Sequence, residues 1–510
     1  MRFRLPLYIN GEEDKRYFSH IPGKLSEWLN ENDIQSWTPG SNTIICSGTG
    51  TGKSYFVRNN LLDFYREQHK QVLYLVPRAL LKEQLQKEIG DSDTIALATY
   101  QSLEAAIKFG KPITKDWDII ICDEVHYFIS DSSFSKQTDL SFDWIVGQEN
   151  AVKIFLTATP DRIEAHLEAN KIPFTEYFVP IANSNITSLN YFSQESQFEI
   201  LANQIIKDNK KGIFFLWSAQ KAYELHCKYQ QNSLFLCSKS NSTYAKCMDE
   251  DAIAAMIATE HFGCNLLFTT PALDVGVTFK DSELNIIVID MLDPDAVIQS
   301  IGRKRPLDIS DTVNVYVRNY GNNRIAGAKR KLLELVKKTD QFTDEGAENY
   351  NAAHDRSNDS LGVVVDVPIE IDGKTYFEKQ LAPTKVGYAK QTIAVYDEIM
   401  THEDGYRGYI AERLQLDKYS VVEEVRHKES LAGYLDSIVN RPLLTKQEKD
   451  AFIQRMDIRQ NRKLSRSFES IEGWLKGSRL PYRLIKFRTS RMENNKQKFY
   501  TAWEVVIYQE

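Results

Sequence analysis

Short runs of almost uninterrupted hydrophobic residues recur along the first part of the chain. The runs are NTIICS (42–47), VLYLV (72–76), TIALAT (94–99), DIIIC (118–122) and KIFLT (153–157). None of them alternates between polar and apolar positions, so both faces of each strand are expected to be covered, as in a parallel sheet flanked by helices. Between the runs, residues such as Val57, Leu61 and Phe64 recur at helical spacing. This alternation predicts a doubly wound α/β domain over residues 1–182.

The same pattern returns after a stretch that is rich in serine and asparagine. Residues 183–196 lack strong periodicity and are predicted to be a linker. Further apolar runs follow: GIFFLW (212–217), SLFLC (233–237), NLLFT (265–269) and NIIVID (285–290). A second α/β domain is therefore predicted over residues 197–320. The expected fold class is α/β, with two tandem parallel-sheet domains and a mixed, largely helical C-terminal region.

The segment that follows the second domain has a different pattern. RIAGAKRKLLELVKK (324–338) predicts a basic amphipathic helix, and the polar residues 340–360 predict a flexible connection. Asp372-Gly373 is typical of a hairpin turn, and helical patterns continue to about residue 440. We therefore predict a helical and hairpin accessory region over residues 321–440.

Residues 441–510 combine helices, a hairpin and positive charge. Thr445 and Glu448 predict a capping box at the start of a helix, with basic residues near helical spacing as far as Arg466. A second helix, Phe468 to Lys476, precedes two segments that alternate like strands. This order is compatible with a winged-helix module, whose recognition helix and wing contact phosphates. A structural or oligomerisation domain with a solvated basic face is the alternative.

Composition narrows the possible classes of protein. The 510 residues suggest about three domains, and 42% hydrophobic residues exclude disorder as the global state. Because no run approaches the roughly 20 apolar residues of a membrane span, and the first residues do not resemble a secretory signal, we expect an intracellular, cytoplasmic protein without a membrane partner. The six cysteines lack zinc-site spacing, so neither a metal cluster nor a disulfide framework is expected.

Charge is distributed unevenly along the chain. The formal net charge is −7, which by itself does not favour nucleic acid. Residues 341–440 contain 10 Lys and Arg against 19 Asp and Glu, whereas residues 441–510 contain 16 against 8. Such asymmetry favours a polyanionic partner, and a solvated basic face explains it equally well.

The first predicted strand leads directly into SGTGTGKS, Ser47 to Ser54. The backbone N–H groups of such a loop cradle phosphates, Lys53 reaches the outer phosphates, and Ser54 offers a hydroxyl to Mg²⁺. The usual pattern has glycine at Ser47, a position that needs only a small side chain. The residues predicted to hold ATP are Gly48, Thr49, Gly50, Thr51, Gly52, Lys53 and Ser54.

Two adjacent carboxylates follow a later strand, DIIIC. Ligands bind at the carboxyl ends of strands in open α/β sheets, so Asp123 and Glu124 are expected beside the phosphate loop. Asp123 is predicted to hold Mg²⁺ through water, together with Ser54. Glu124 is predicted to orient and deprotonate the attacking water.

The order of SGTGTGKS, DEVH (Asp123 to His126) and TATP (Thr157 to Pro160) resembles motifs I, II and III of the superfamily 2 helicases of the DExH-box type. The resemblance implies that both predicted α/β domains are RecA-like. LVPRALLKEQ and ATYQSL resemble the motifs that contact the nucleic-acid backbone. By this resemblance the nucleic-acid contacts in the first domain are Pro77, Arg78 and Thr99.

Two segments of the second domain extend the resemblance. FTTPALDVGVTF resembles motif V, which implies that Thr270 contacts nucleic acid and that Gly276 belongs to the nucleotide site. AVIQSIGRKRP resembles motif VI. If it is helical, Gln299, Arg303 and, nearly, Pro306 share one face.

The resemblance implies specific roles for the side chains of AVIQSIGRKRP. Gln299 would face the nucleotide and could pair with His126, and Arg303 would meet the γ-phosphate. The second arginine of the common pattern falls on Pro306, so Arg305, one residue earlier, is predicted to be the arginine finger. Such a finger accelerates phosphoryl transfer by roughly 10³–10⁵-fold.

The resemblance covers about residues 40–310 and implies a nucleic-acid-stimulated ATPase that acts as a DNA helicase or translocase. The choice of DNA over RNA depends on similarity to phage, viral or mobile-element helicases. Translocation without strand separation is a rival within this class, and an ATP-dependent nucleic-acid-binding clamp or scaffold with little turnover is the second hypothesis. The oligomeric state stays open, and a monomer is compatible. The residues expected to carry the hydrolysis are Lys53, Asp123, Glu124, His126, Gln299, Arg303 and Arg305.

Overall fold

The structure is a computed structural model of the 510-residue chain. It describes residues 2–4, 8–9, 12–13, 25–48, 51–111, 113, 115–133, 135, 137–179, 185–239, 241–270, 277–308, 310–353, 362–371, 374–460, 463–478, 480–493 and 496–508. The chain divides into two compact units, Met1–Tyr419 and Ser420–Glu510. The first unit contains two parallel sheets, and we call the sheet-containing halves lobe 1 and lobe 2.

Lobe 1 is built on seven parallel strands in the order β1-β9-β4-β8-β7-β5-β6. These strands are β1 (Arg2–Arg4), β4 (Asn42–Ser47), β5 (Val72–Val76), β6 (Ile95–Thr99), β7 (Ile119–Cys122), β8 (Val152–Thr157) and β9 (Thr175–Val179), and β2 (Tyr8–Ile9) pairs with β3 (Glu12–Glu13) in a separate hairpin. Each apolar run predicted from the sequence of this lobe forms a strand.

The helices of lobe 1 cover both faces of its sheet. They are α1 (Leu25–Trp28), α2 (Glu31–Gln35), α3 (Lys53–Phe56), a π-helical segment (Val57–Leu62), α4 (Asp63–Glu67), α5 (Ala79–Ile89), α6 (Tyr100–Lys108), α7 (Tyr127–Ser130), a 3₁₀ turn (Asp131–Ser133), α8 (Thr138–Val146) and α9 (Asp161–Ala169). Within β5, Tyr74 and Val76 pack into one hydrophobic core, whereas Leu73 and Leu75 pack into another. Two cores on opposite faces explain why these strands are hydrophobic at every position.

Lobe 2 repeats this architecture, with parallel strands in the order β12-β13-β11-β14-β15-β10. Its strands are β10 (Ile186–Phe192), β11 (Lys211–Leu216), β12 (Ser233–Leu236), β13 (Leu266–Thr269), β14 (Leu284–Asp290) and β15 (Val313–Arg318). Its helices are α10 (Ser196–Lys207), α11 (Ala219–Lys228), α12 (Glu250–Thr259) and α13 (Pro294–Ile301), with 3₁₀ turns at Gln230–Asn232 and Ala245–Cys247. The predicted fold class, α/β with two tandem parallel-sheet domains followed by a mixed, largely helical region, is confirmed.

Strand β10 lies where the sequence predicts a linker. It pairs in parallel with β15 and buries Leu189 and Tyr191. The polar residues that suggested a linker have hydrogen-bond partners within the sheet, since Ser188 Oγ donates to Asn314 Oδ1 of β15 (2.7 Å) and Asn190 Nδ2 donates to Ser188 Oγ (2.8 Å). Because polar and buried apolar residues alternate along β10, it lacks the uninterrupted hydrophobic run by which the other strands were predicted.

The rest of the first unit contains α14 (Asn322–Ala353), the antiparallel strands β16 (Val364–Ile371) and β17 (Lys374–Leu381), α15 (Pro383–Thr401) and α16 (Gly405–Arg413). Helix α14 continues through the predicted flexible connection as far as Ala353, with a break at Gly346, where φ is +76°. The hairpin is as predicted, and its turn, Asp372-Gly373, lies outside the described residues. Helix α15 packs against lobe 1 through Tyr388 and against the core of lobe 2 through Tyr396.

The second unit contains β18 (Ser420–Val421), α17 (Val422–Ile438), α18 (Lys446–Met456), β19 (Arg459–Gln460), β20 (Lys463–Leu464), α19 (Phe468–Gly477), β21 (Tyr482–Glu493) and β22 (Lys496–Ile507). The capping box of Thr445 and Glu448 is confirmed. The basic helical periodicity towards Arg466 is not, because α18 ends at Met456 and the left-handed Asp457 (φ +43°) turns the chain into the β19–β20 hairpin. Within the described residues, no helix has both the length and the apolar composition of a bilayer span.

Candidate active site

The turn between β4 and α3 ends at a glycine with a left-handed backbone, Gly52. Gly52 has φ +86° and ψ +26°, a conformation that glycine adopts without steric cost. Thr51 is buried, and its hydroxyl donates a hydrogen bond to the carbonyl of Gly48 (2.8 Å). Thr49 and Gly50 lie outside the described residues. The turn therefore needs a glycine immediately before the helix, as a phosphate loop does.

The ammonium group of Lys53 folds back onto this turn. Its Nζ donates to the carbonyl oxygens of Ser47 (2.6 Å) and Gly48 (3.2 Å). Burial lowers the pKa of Lys53, Glu124 opposes that effect, and the positive charge of Arg305 adds to it. Ser54, the next residue, is exposed. Lys53 is therefore a partly buried cation held by backbone oxygens, within electrostatic range of an arginine from lobe 2.

Asp123 and Glu124 follow β7 at the carboxyl edge of the sheet. Asp123 is buried, its Oδ2 accepts a hydrogen bond from the Tyr74 hydroxyl (3.3 Å), and its Oδ1 accepts one from the backbone N–H of Glu124 (3.0 Å). Tyr100 donates to the Asp123 carbonyl (2.8 Å). Burial raises the pKa of Asp123, and the charge of Glu124 raises it further. The sequence pattern did not identify Tyr74 and Tyr100, which hold Asp123 in place through these hydrogen bonds.

Glu124 has a left-handed backbone, with φ +49°. This conformation costs a non-glycine residue on the order of 1–3 kcal/mol and persists only where the surroundings impose it. Its Oε2 lies 3.4 Å from Nδ1 of His126. Burial would raise the pKa of Glu124, but His126, Lys53 and Arg303 together hold that pKa below its usual range. Glu124 is therefore held as a carboxylate among positive charges.

Gln299 contacts lobe 1 at a residue other than the predicted one. Its Nε2 donates to Oγ1 of Thr159 (3.4 Å), in the TATP segment that follows β8, and not to His126. The segment after β8 reaches α13, whereas the His126 ring lies beside Glu124. Gln299 thus joins the two lobes through Thr159.

Arg303 and Arg305 follow α13 and do not lie on its face, so the predicted helical arrangement with Pro306 is wrong. The helix ends at Ile301, and the backbone of the next residues pairs with Phe279, whose N–H donates to Arg303 O (2.8 Å) and whose carbonyl accepts from Arg305 N (2.8 Å). In an extended segment alternate side chains point to opposite sides. The two arginines therefore share one side.

Lys304, between the two arginines, takes the other side. It is buried, and its Nζ lies 2.6 Å and 2.7 Å from the carboxylate oxygens of Asp311. Burial and, to a smaller extent, the neighbouring charge of Arg303 lower the pKa of Arg305 to about 10. Since Arg305 lowers the pKa of Lys53 and Arg303 lowers that of Glu124, the structure brings both arginines of lobe 2 into electrostatic range of lobe 1.

The residues predicted to contact nucleic acid in lobe 1 have structural partners. The guanidinium of Arg78, next to Pro77 at the end of β5, pairs with Asp131 (2.8 Å). Thr99 caps α6, because its Oγ1 accepts a hydrogen bond from the N–H of Ser102 (3.1 Å). Each side chain therefore has a role in the fold, whatever it contacts in addition.

In lobe 2, Thr270 is buried immediately after β13, and its N–H donates to Leu236 O (3.3 Å). Gly276 lies outside the described residues. Of the two residues predicted from the motif V segment, the structure therefore describes Thr270 alone.

Sequence reasoning missed the charged contacts that join the lobes. Arg162, two residues after TATP, is buried and donates to Asp293 (2.9 Å), to Asp295 (2.7 Å) and to the Thr392 hydroxyl of α15 (2.8 Å). Arg413 of α16 also pairs with Asp295 (3.0 Å). The one available signal was Asp-Pro-Asp at 293–295, a helix start with two acids, which by itself indicates only a cap.

Comparison with known proteins gives partial similarities. A family model described as "ResIII: Type III restriction enzyme, res subunit" matches residues 87–162, a segment that contains Asp123, Glu124 and TATP. No relative is detected among curated protein sequences.

Two similar solved structures are those of Dbp5 from S. cerevisiae bound to RNA and ADP BeF3 and of a single-residue variant of that protein with the same ligands. The former is 15% identical over 56% of this chain and 81% of that chain, with a TM-score of 0.43. The variant is 14% identical over 57% and 83%, also with a TM-score of 0.43. Each is a protein to which this chain is similar over part of its length.

Proposed function

We propose that this chain is a nucleic-acid-stimulated ATPase of the superfamily 2, DExH-box type, which acts as a DNA helicase or translocase. One observation carries the proposal. Two arginines of lobe 2, Arg303 and Arg305, lie within electrostatic range of Glu124 and Lys53 of lobe 1. Acidic and basic groups supplied from opposite lobes are what hydrolysis of a bound triphosphate needs.

The residues present fit a nucleotide with Mg²⁺. Gly52, with its left-handed backbone, ends the turn before α3 as the glycine of a phosphate loop does. The Lys53 ammonium donates hydrogen bonds to carbonyl oxygens, and phosphate oxygens are acceptors of the same kind. Asp123 and the exposed hydroxyl of Ser54 supply the hard oxygen ligands that Mg²⁺ prefers. When bound, Mg²⁺ neutralises charge on the phosphate oxygens.

The chain's own side chains can perform the hydrolytic chemistry. Glu124, held ionised by its positive neighbours, can orient a water molecule and accept its proton. Arg305 and Arg303 can stabilise negative charge that develops on the outer phosphate. Lys53 can bind the same phosphate, exchanging its two backbone carbonyls for phosphate oxygens.

Nucleic acid is proposed as the partner for two reasons. The ResIII match includes the acidic pair and the TATP segment, which supports a helicase-like motor. Thr159, within TATP, bonds to Gln299, and through this contact between the lobes a nucleic acid bound to both of them can act on the segment after β8. DNA is chosen over RNA by sequence resemblance, with Pro77, Arg78, Thr99 and Thr270 as the proposed contacts.

The proposal is tested by ATP turnover with and without single-stranded DNA, in the wild type and in Glu124→Gln. We expect stimulation by DNA and loss of turnover in the variant, because glutamine cannot accept the proton. Parallel assays with RNA and with a strand-displacement substrate separate DNA from RNA and unwinding from translocation. Turnover that is indifferent to every nucleic acid would instead support the clamp or scaffold alternative.

A further inference from the structure

The second compact unit carries a long hairpin whose far half lies outside the hydrophobic core. Strands β21 and β22 pair from Tyr482 with Ile507 to Glu493 with Lys496. Near its base the hairpin contributes Leu484 and Val505 to the core of the unit. From the Arg488–Thr501 pair outwards, no side chain that the structure describes is buried. We call residues 488–493 and 496–501 the distal ribbon.

The two faces of the distal ribbon have different chemistry. Residues directly opposite in an antiparallel pair lie on the same face, and alternate pairs share that face. One face therefore carries Phe499 opposite Ser490, with Met492 and Arg488 on either side. Phe499 is 77% exposed and Met492 is 64% exposed. An apolar platform thus lies next to a cation.

The other face of the distal ribbon is cationic. Arg491 is directly opposite Lys498, and the next pair of the same face is Lys496 opposite Glu493, so three basic residues outnumber one acidic residue there. All three basic side chains are exposed. Together with Arg488 on the first face, the distal ribbon therefore carries four of the 16 basic residues of the C-terminal segment.

The helix that precedes the hairpin has the opposite character. Helix α19 exposes Glu469, and its Glu472 pairs with Lys476 (2.8 Å). A polyanion would be repelled by Glu469 and would have to break the pair of Glu472 with Lys476. The recognition helix that a winged-helix arrangement would use is thus poorly suited to phosphates, and the ribbon is well suited.

We propose that the distal ribbon binds unpaired nucleotides that pass around the edge of the hairpin, with a base stacked on Phe499, one phosphate held by Arg488 on the same face and another held by Arg491 on the opposite face. Aromatic platforms beside cations bind single strands without regard to sequence, since every base has a face that can stack. Charge complementarity selects a polyanion, and the exposed ring selects one with unpaired bases. The proposal rests on the proposed function, because its ligand is the same nucleic acid, but it assigns a site outside the ATPase unit.

The test measures binding of the full chain to a short fluorescein-labelled oligothymidylate without ATP, by fluorescence anisotropy over a range of salt concentrations. Phe499→Ala should weaken binding by about 5-fold or more, the effect of losing one stacked base. Arg488→Gln with Arg491→Gln should reduce the slope of log K against log salt by about 1.4, or roughly 0.7 for each lost phosphate contact. Duplex DNA of the same length should be less sensitive to Phe499→Ala.

Matched controls come from the same unit. Ile507→Ala removes a 54% exposed apolar side chain from the base of the same hairpin. Lys428→Gln with Lys446→Gln removes the same charge from exposed positions of α17 and α18. We expect both controls to bind as the wild type does, and circular dichroism should show all variants folded.

Four outcomes are possible. The proposal is supported if only the ribbon variants lose affinity and show a smaller slope of log K against log salt, while the controls do not. Equal losses in the lysine control mean that only total charge matters, which overturns it. Unchanged binding of the ribbon variants, in a protein whose ATPase is still stimulated by nucleic acid, overturns the ribbon and leaves the proposed function standing. A wild type that binds no oligonucleotide overturns both.

Discussion

Arg162 of lobe 1 and Asp293 of lobe 2 form an ion pair across the boundary between the lobes. Nη2 of Arg162 lies 2.9 Å from both carboxylate oxygens of Asp293, while its Nε donates to Asp295 (2.7 Å). Burial alone would lower the pKa of Arg162, but the two carboxylates raise it. Arg162 lies two residues after the TATP segment, so this pair connects that segment directly to the start of α13.

We predict that Arg162→Met destabilises the protein and uncouples its lobes. Asp293 loses its counter-ion and Asp295 keeps only Arg413, so the free energy of unfolding should fall by about 3 kcal/mol. Stimulation of turnover by nucleic acid should fall more than basal turnover, because the contact between lobes is lost. Urea unfolding and ATPase assays measure the two effects.

Two further variants control this prediction. Arg318→Met removes an arginine–aspartate pair with Asp290 (3.2 Å) inside lobe 2, and it should leave stimulation intact. Adding Asp293→Asn to Arg162→Met should recover part of the lost stability, since one unpaired charge disappears. Equal loss of stimulation in Arg162→Met and Arg318→Met would contradict a role in coupling.

The side chains of residues 303–305 point alternately to opposite sides, so substitution of Arg305 and of Lys304 should have different effects: one on turnover, the other on stability. Arg305→Ala should lower turnover by roughly 10³-fold or more without changing the melting temperature, the effect expected of an arginine finger. Lys304→Met should lower the free energy of unfolding by about 3–5 kcal/mol, because Asp311 is left buried and unpaired, but turnover per folded molecule should persist. Differential scanning fluorimetry measures the melting temperatures, and ATPase assays measure turnover. An unchanged melting temperature in Lys304→Met would contradict a buried ion pair of Lys304 with Asp311.

Ser47 is the departure from the usual phosphate-loop pattern. Its hydroxyl is buried and has no hydrogen-bond partner among the described residues. Ser47→Ala removes an unsatisfied group and should raise the free energy of unfolding by about 1 kcal/mol while keeping ATP turnover. Ser47→Val, which adds branched bulk, should impair turnover. Loss of turnover in the alanine variant would mean that the hydroxyl contacts the nucleotide.

His166 predicts a dependence of stability on pH. It is buried between Phe142 and Gly387, where an added Cβ on the glycine would lie 2.9 Å from Nδ1. Burial lowers the pKa of His166 from 6.5 to about 4. The unfolded chain therefore binds a proton that the folded chain excludes, and stability falls as the pH drops from about 6.5 to about 4. The loss approaches about 3 kcal/mol at the lower limit.

The measurement compares urea unfolding of the wild type and of His166→Gln over this pH range. Asp139, whose pKa burial raises to about 6, acts in the opposite direction, so the difference between the two proteins is the informative quantity. Their stabilities should converge as the pH falls. Parallel curves would contradict a neutral, buried His166.

The local hydrophobic pattern predicted most strands correctly because burial of both faces of a strand constrains every residue within that short segment. A strand covered on both faces must be hydrophobic at every covered position, and Val72–Val76 and the central residues 286–289 of β14 show this directly. The phosphate loop is also contiguous in sequence, so the glycine, the lysine and the helix that follows could be read together. Strand β10 escaped prediction because its polar face is satisfied by neighbours that are distant in sequence.

What the sequence by itself determined was therefore the fold class, the order of the strands along the chain and the types of charged groups available for a nucleotide site. Only the tertiary structure decided which of these groups meet. Arg303 and Arg305 share a side because their backbone pairs with Phe279, and Gln299 bonds to Thr159 because α13 faces the segment after β8. Arg162 and Asp293 are 131 positions apart. A pair so distant has no signal in local spacing, because its energy arises only when packing has buried both charges together.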